Sequence, residues 1–449
     1  MSDPSLMRAN VTPLSPLLTD NDSSAFLPVA PHAVSDFIRD TRILAPTQGS
    51  TNGDTLRFEF TKNSAIITAF TLRCRQPAFA VPVGATFLRA CDWKGIADIK
   101  EVRMLYFGNL IYKFDKDYLY QRIRATSDLF RLEAYKNVLM GDWTSAQRSQ
   151  ATQAGFVTEC PLMFPFSFDT TQAMPIVCLA QKLQIEVDIE PLTNVYNTDL
   201  ATTTALVNPG ILYDMRVDYY QLTEPETVYL VNKAQSPDGI AYINSNKINK
   251  QIVNITIPAA STTQVQNEIR MLNRGCVKET KVNFYASQLR GATSYNSDWF
   301  VTSNNPSPIP SPNGLPAFGP YGEITGFSMQ ANGVELFRAQ ITNNGINWLK
   351  NLYFKNYHTG RPGENIYAPS YSLAPEQENA SLGHAAYANF DNPTLLLTFA
   401  ADQSAAGGLL GGTGTNPITA ANQTLHCVIM YYTYTYIQVQ GGDIVEAFV

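Results

Sequence analysis

The sequence predicts an all-β chain folded as two similar β-sandwiches in tandem, each of about eight strands, with short inserted helices and long surface loops. Three observations carry that prediction. Only 16% of the 449 residues are charged, while Tyr and Phe number 23 each and Gly and Pro 27 each. Aromatic side chains fit a pleated surface, and Gly and Pro supply turns. Several short runs alternate apolar and polar residues, the period of two that one buried sheet face requires. The order of elements also repeats at about half the chain length. Each half has a strand, a Gly/Asn turn and a second strand, at Gly108-Asn109 and at Asn332-Gly333. Each half closes on a Tyr-rich strand, at Tyr219 and at Tyr431. The letters barely match, so it is the order that repeats, as two fused copies of one architecture leave it.

In chain order, residues 1–30 are rich in Pro, Ser, Asn and Asp without a period and read as an N-terminal arm. The first sandwich is expected over 31–223, with its strands starting near Gly53-Asp54. Leu56, Phe58 and Phe60 share one side of a strand, with Arg57, Glu59 and Thr61 on the other. A second strand runs from Ile66 to Arg75 and stops at Pro77. Val102, Met104 and Tyr106 then alternate into Gly108-Asn109, a pair that accepts positive φ cheaply and marks a tight hairpin. Residues 115–140 break the pattern: Leu119, Ile123, Leu129, Leu132, Tyr135 and Leu139 are spaced for short helices, with Gly141 as the stop. The runs "LMFPFSF" and "MPIVCLAQ" follow, the second read as strand-like. In "KLQIEVDIEPL", Leu183, Ile185, Val187 and Ile189 face inward; Gln184, Glu186, Asp188 and Glu190 form an acidic outer face, read as solvated. Residues 212–222 close the half.

The second sandwich is expected over 224–449. "TEPETVYLVNKAQSPDG" reads as a polar connector holding Pro225 and Pro237. Val253, Ile255 and Ile257 share a strand face, and "KVNFYASQL" supplies another strand. Residues 291–322, with Pro306, Pro308, Pro310, Pro312, Pro316 and Pro320, form a long aperiodic loop. Asn332-Gly333 turns a second hairpin. The stretch from Gly363 to Phe399 reads Ile366-Tyr367 into a strand-like Tyr371-Ser372-Leu373. It then passes Pro375-Glu376, a Ser381-Leu382-Gly383 turn, Asn389-Phe390-Asp391-Asn392 and the apolar strand Leu395–Phe399. A Gly/Ala/Thr-rich loop at 400–420 precedes the last strand, "HCVIMYYTYTYIQV".

The totals exclude some functions. With 32 basic against 38 acidic residues the net charge is −6, so the chain lacks the basic surface that direct nucleic-acid binding needs. Low charge with many aromatics also suits surfaces buried against further copies. The six cysteines, Cys74, Cys91, Cys160, Cys178, Cys276 and Cys427, include no Cys-x-x-Cys, which argues against structural zinc and for reduced core residues. No secretory signal is legible at the N-terminus, and no apolar run approaches the roughly 20 residues that span a bilayer. Sequons start at Asn10, Asn21, Asn254, Asn379 and Asn422 and read as chance occurrences.

The Gly363–Phe399 stretch, in the order strand, Pro-Glu, Ser-x-Gly, Asn-Phe-x-x-Asn, strand, resembles the signature near the end of the major capsid proteins of large icosahedral DNA viruses. Here the family's longer Asn-Phe motif is shortened to "NFDN". Other segments resemble the same family in the same order. They are "GDTLRFEF", "GIADIKEVRMLYFGNLIYKFDKDYLYQRI", "PLMFPFSFDTTQAMPIVCLAQKLQIEVDI", "MQANGVELF" and "MYYTYTYIQVQGGDIVEAFV". The resemblance implies two eight-stranded jelly rolls, a double jelly roll, in a homotrimer that looks six-sided and tiles an icosahedral shell. It implies neighbouring capsomers, minor capsid and penton proteins and an internal membrane beneath the shell as partners. It also implies residence in the virion after assembly in host cytoplasm.

The residues themselves offer no catalytic constellation, so no catalytic, cofactor or metal residue is assigned and no enzyme activity is expected. The histidines are His32, His358, His384 and His426, and no Gly-x-Ser-x-Gly elbow accompanies them. "GGLLGGTGT" lacks the lysine a phosphate loop requires. The alternate carboxylates of 184–190 could suggest a metal but read better as a strand face. Two other readings stay open: a transient scaffold lattice of the poxvirus sort with the same fold, and a carbohydrate-binding β-sandwich.

Overall fold

The computed structural model describes residues 37–61, 63, 65–127, 129–167, 173–200, 206–237, 239–257, 265–287, 290, 297–300, 324–332, 334–339, 366–376, 382–399 and 423–447. The 1–30 arm, the loops at 291–296, 301–322 and 400–420, and the Ser381 turn residue lie outside them.

Among the described residues, ten strands precede residue 223. They are β1 (Phe37–Leu44), β2 (Thr55–Phe60), β3 (Ala65–Gln76), β4 (Leu88–Ala90), β5 (Ile99–Tyr106), β6 (Asn109–Asp115), β7 (Phe156–Leu162), β8 (Leu183–Ile189), β9 (Tyr196–Thr198) and β10 (Leu212–Leu222). Ten more of the described strands follow residue 239. They are β11 (Ile240–Ile257), β12 (Val265–Arg270), β13 (Cys276–Ala286), β14 (Ile324–Ala331), β15 (Val334–Ala339), β16 (Ile366–Tyr367), β17 (Ala385–Ala386), β18 (Thr394–Phe399), β19 (Gln423–Gln440) and β20 (Asp443–Ala447).

The first set forms two four-stranded sheets, ordered β1-β10-β3-β7 and β2-β8-β5-β6, with β4-β9 as a small extra pair. The second forms β11-β19-β13-β16, with β17 and β20 attached, and β12-β18-β14-β15. Leaving out β4, β9, β17 and β20, each half orders its strands 1-8-3-6 and 2-7-4-5. The half-length echo in the sequence is therefore a repeat of topology. Each half brings its last strand back beside its first, as β10 pairs β1 and β19 pairs β11, both antiparallel.

Alternation sets the inner faces. Leu56, Phe58 and Phe60 on β2, Val102, Met104 and Tyr106 on β5, and Leu183, Ile185, Val187 and Ile189 on β8 are all buried. Phe70, Phe164 and Phe166 close the first core edge-on, with centroids 5.6 and 5.8 Å apart, geometry worth about 1 kcal/mol per pair beyond area. Five of the six cysteines are buried, Cys276 being partly so.

Helices at Lys116–Thr126, Leu129–Leu139 and Ser145–Ala154 fill the β6–β7 connection. Asp115 caps the first by accepting from the Tyr118 amide at 3.1 Å. Gly141 follows the second, but its role differs from the expected left-handed stop. Met140 and Asp142 take the positive φ values, 57° each. A Cβ on Gly141 would stand 2.5 Å from the Trp93 ring, so glycine is there for close approach.

Five other expectations are corrected. The first strand is β1, before Gly53; its Arg39, Asp40 and Arg42 hide any alternation, and pairing with β10 holds it. The first hairpin turns on Phe107-Gly108, φ 51° and 76°, while Asn109 already pairs with Tyr106. The 174–181 run is a single-turn 3-10 helix at Ile176–Cys178, because Pro175 cannot donate to a ladder. The polar connector is a helix, Glu224–Gln235, with Pro225 in its first turn, where the missing amide costs nothing. Tyr371-Ser372-Leu373 is a bend whose Tyr371 amide reaches the Lys278 carbonyl at 2.8 Å.

The "NFDN" segment serves the second hairpin. Asn332 at that turn, φ 54°, accepts from the Asp391 amide at 2.5 Å and donates its own amide to the Asp391 carbonyl at 3.3 Å. Gly333 lies outside the described residues.

Candidate functional site: the seam between the two sandwiches

Strand β19 explains the layout of the centre. Its run from Cys427 to Tyr432 is apolar on both faces because both are covered. Leu425, Cys427, Ile429 and Tyr431 lie in the second core. Val428, Met430 and Tyr432 belong to the cluster that contains the whole first core, together with Tyr285, Phe300 and Val439. Apolar packing is thus continuous across the two halves, and a strand buried on both sides reads as an unbroken hydrophobic run.

The helix Lys116–Thr126 is the wedge. Tyr118 meets the Tyr432 ring at 6.0 Å, Tyr120 stacks on Phe300 at 4.3 Å, and the Tyr432 hydroxyl donates to Gln121 at 3.3 Å. Asp117 is fully buried and receives Arg290 and Lys250 of the second half, each at 2.5 Å. Lys250 also contacts Asp115. Burial alone would push the Asp117 carboxyl up, but Arg290 and then Lys250 outweigh it and hold the group well below the ordinary range. Its neighbour Lys116 is gripped by Glu190 at 2.6 Å and lies 3.1 Å from the Trp299 ring centroid. Burial pulls the Lys116 ammonium down to about 8 against the opposing pull of Glu190.

The four residues 297–300 are inserted in the first sandwich. The Ser297 amide donates to Asn197 at 2.7 Å, and Asp298 accepts from Arg148 at 2.9 Å and from the Asp92 amide at 2.7 Å. The Trp299 indole donates to the Asn194 carbonyl at 2.9 Å. At the other end the β19–β20 turn docks on the same half. The Gly442 carbonyl accepts from the Tyr106 hydroxyl at 2.5 Å and the Ala180 amide at 2.9 Å.

The acidic face of β8 is not merely solvated, as the sequence suggested. Glu186 is bound by Arg57 at 2.6 Å and Arg103 at 3.3 Å, Asp188 by Arg103 at 2.9 Å, and Glu190 is buried on Lys116. Arginines on the flanking strands β2 and β5 neutralise it. Alternation located these carboxylates, but the cations lie on strands distant in sequence. Of the histidines, His384 is exposed with Tyr434 at 6.2 Å, and His426 is half-buried on β19. His32, His358 and "GGLLGGTGT" lie outside the described residues. Among the described residues, no three or more His, Cys, Asp or Glu side chains are grouped to hold a metal, and no helix is long and apolar enough to cross a membrane. The seam residues engage one another across the two halves, an arrangement suited to locking them together.

No protein-family model and no curated protein sequence matches the chain. Solved structures do. PBCV-1 VP54, in a crystal structure fitted into a cryo-EM reconstruction of the virophage Sputnik, superimposes with a TM-score of 0.71 at 16% identity, over 95% of this chain and 100% of that one. The chain is a double jelly roll. The Faustovirus major capsid protein gives 0.61 at 12% identity, over 97% and 96% of the two chains. The mavirus major capsid protein gives 0.52 at 10%, over 91% and 90%. The double jelly roll has no sequence trace strong enough for a family model here, yet its strand order is intact in both rolls.

Proposed function

We propose that the chain is a major capsid protein: a structural subunit that assembles as a homotrimer and tiles an icosahedral virus shell, without catalysis. Its rolls divide near residue 223, into 31–223 and 224–449, with 1–30 as an arm. The observation that carries this reading is the seam. Two rolls of identical strand order are joined by a continuous apolar core and by a buried Asp117–Arg290–Lys250 node. Two equivalent barrels held as one block let a three-fold oligomer fill a six-fold lattice position. The superposable solved structures include proteins named as major capsid proteins. Partners on this reading are further copies of the chain, minor capsid and penton proteins and a membrane under the shell, with no direct nucleic-acid contact. The location is the virion, after assembly in host cytoplasm.

Imaging the purified protein by negative stain tests the reading. Six-sided particles with three-fold symmetry support it. Dispersed single subunits that bind a sugar column favour the carbohydrate-binding alternative. Finding the chain in immature but not mature particles favours the transient scaffold.

A further inference from the structure

Asp92 stands where three segments meet. Its amide donates to Asp298 of the 297–300 segment at 2.7 Å, and its carboxylate accepts the Trp93 amide at 3.1 Å and the Asp142 amide at 3.0 Å. The two first-roll segments it ties together are both strained. Trp93, Met140 and Asp142 take φ values of 52°, 57° and 57°, three of the six positive values at non-glycine positions among the described residues. Left-handed backbone is costly for such residues and persists only where surrounding contacts impose it. Here they are the Asp92 carboxylate, the Trp93 amide on the Met140 carbonyl at 3.2 Å and the Trp93 indole on Asp142 at 3.1 Å.

The charges facing Asp92 are divided. Arg148 of the helix Ser145–Ala154 and Arg124 of the helix Lys116–Thr126 attract its carboxylate, while Asp298 and Asp142 repel it. Both arginines are shared, Arg148 with Asp298 at 2.9 Å and Arg124 with Asp142 at 2.7 Å. Lys136 also reaches Asp142 at 3.2 Å, and Arg89 of β4 lies beside Asp298 and Arg148. The Tyr120 phenol faces Asp92 and the Cys91 thiol faces Asp298; burial pushes both up, so both stay protonated near neutral pH. Burial is the largest influence on the Asp92 carboxyl and, with its two acidic neighbours, carries it up to about 7 against the arginines. Protonated, the group keeps a carbonyl oxygen that accepts both amides, and it no longer repels Asp298. Ionised, it gains by hydration, which requires the seat to open.

We propose that residues 297–300 are a proton-sensitive strap, seated on the first roll while Asp92 is protonated and released when it ionises. Release withdraws Asp298 from Arg148 and the Trp299 ring from Lys116, two contacts that tie the second roll to the first. The seated form holds the Asp92 proton to about 7 and a hydrated one to the ordinary 3.8, so the seated form binds more protons in between. The grip is therefore strongest in acid, falls as the pH rises toward 7 and levels off above it. Lys116, with its partner Glu190, faces Trp299 and titrates near 8, above this window.

Amide hydrogen exchange between pH 5 and 7.5 tests the strap, with each rate divided by its intrinsic rate at that pH. The Ser297 amide, which donates to Asn197, reports the strap, and the amides of β8, central in its sheet, report global unfolding. In the wild-type chain Ser297 protection should fall at least about tenfold across this range and stay below that of β8. Asp92→Asn, which keeps an acceptor oxygen and cannot ionise, should hold the high acid value throughout. Asp298→Ala should leave Ser297 poorly protected at every pH. Circular dichroism checks that both variants are folded. Wild-type protection that does not change with pH overturns the proposal, as does a folded Asp92→Asn variant that follows the wild-type curve. Either outcome leaves the shell reading as it stands, because the strap is a contact within one chain.

Discussion

The carboxylate of Asp117, in the helix that follows β6 of the first roll, lies 2.5 Å from the Arg290 guanidinium of the second roll, and both side chains are buried. A buried ion pair repays its desolvation only when every partner is present. Lys250 supplies the second cation to the same carboxylate. The two rolls are therefore coupled through one buried carboxylate held by two cations of the other roll.

Asp117→Asn leaves Arg290 and Lys250 with a neutral amide. The expected loss is about 3–5 kcal/mol, the usual cost of stranding a buried charge. Calorimetry should show a lower melting temperature, with the single transition broadening or splitting as the rolls melt separately. An unchanged thermogram contradicts the coupling.

The pH dependence follows from the same node. The folded Asp117 carboxyl is held below its ordinary 3.8, so its contribution is fully present above that value and is lost only as pH falls through the depressed folded one. The stability difference between wild type and Asp117→Asn should stay flat from pH 7 to about 4.5 and shrink in stronger acid.

Lys116 titrates the other way. Its unfolded ammonium holds a proton to about 10.5 and its folded one to about 8, so the unfolded state binds more protons in between and stability rises with pH there. The buried thiols of Cys74, Cys91, Cys160 and Cys427, pushed up by burial, act in the opposite sense. Subtracting a Lys116→Met variant isolates the lysine. The wild-type protein should gain on it by up to about 3 kcal/mol between pH 8 and 10.5. A difference independent of pH contradicts the assignment.

Gly141→Ala sets a methyl 2.5 Å from the buried Trp93 ring. Overpacking of this kind costs about 1–3 kcal/mol, read as a lower urea midpoint. Trp93 and Gly141 are far apart in sequence, so only the fold reveals the clash.

Phe107 carries a positive φ at an exposed turn, where Asn or Gly is the ordinary choice. Phe107→Asn should stabilise the chain by about 0.5–1 kcal/mol. A loss of stability would mean that the aromatic ring has a packing partner.

Alternation made the inner faces of β2, β5 and β8 legible, and the Tyr-rich last strand was legible as β19, while its burial on both faces was not, because the first roll that covers its second face is distant in sequence. The β1 edge was not legible, because its place is set by pairing with β10 rather than by its own charged residues. The helix at 224–235 was legible in Thr223, Glu224 and Pro225 but was masked by its polar composition. The seam was invisible. Asp115, Lys116 and Asp117 look like a solvated helix start until Lys250, Arg290 and Trp299 are brought to them from the second roll.

On the reading proposed above, the fused rolls form one block that should associate with further copies of itself. Native mass at rising concentration tests it most directly. The unmodified chain is expected at three times 49.6 kDa, about 149 kDa. A species that remains at 49.6 kDa at the highest attainable concentration would contradict it.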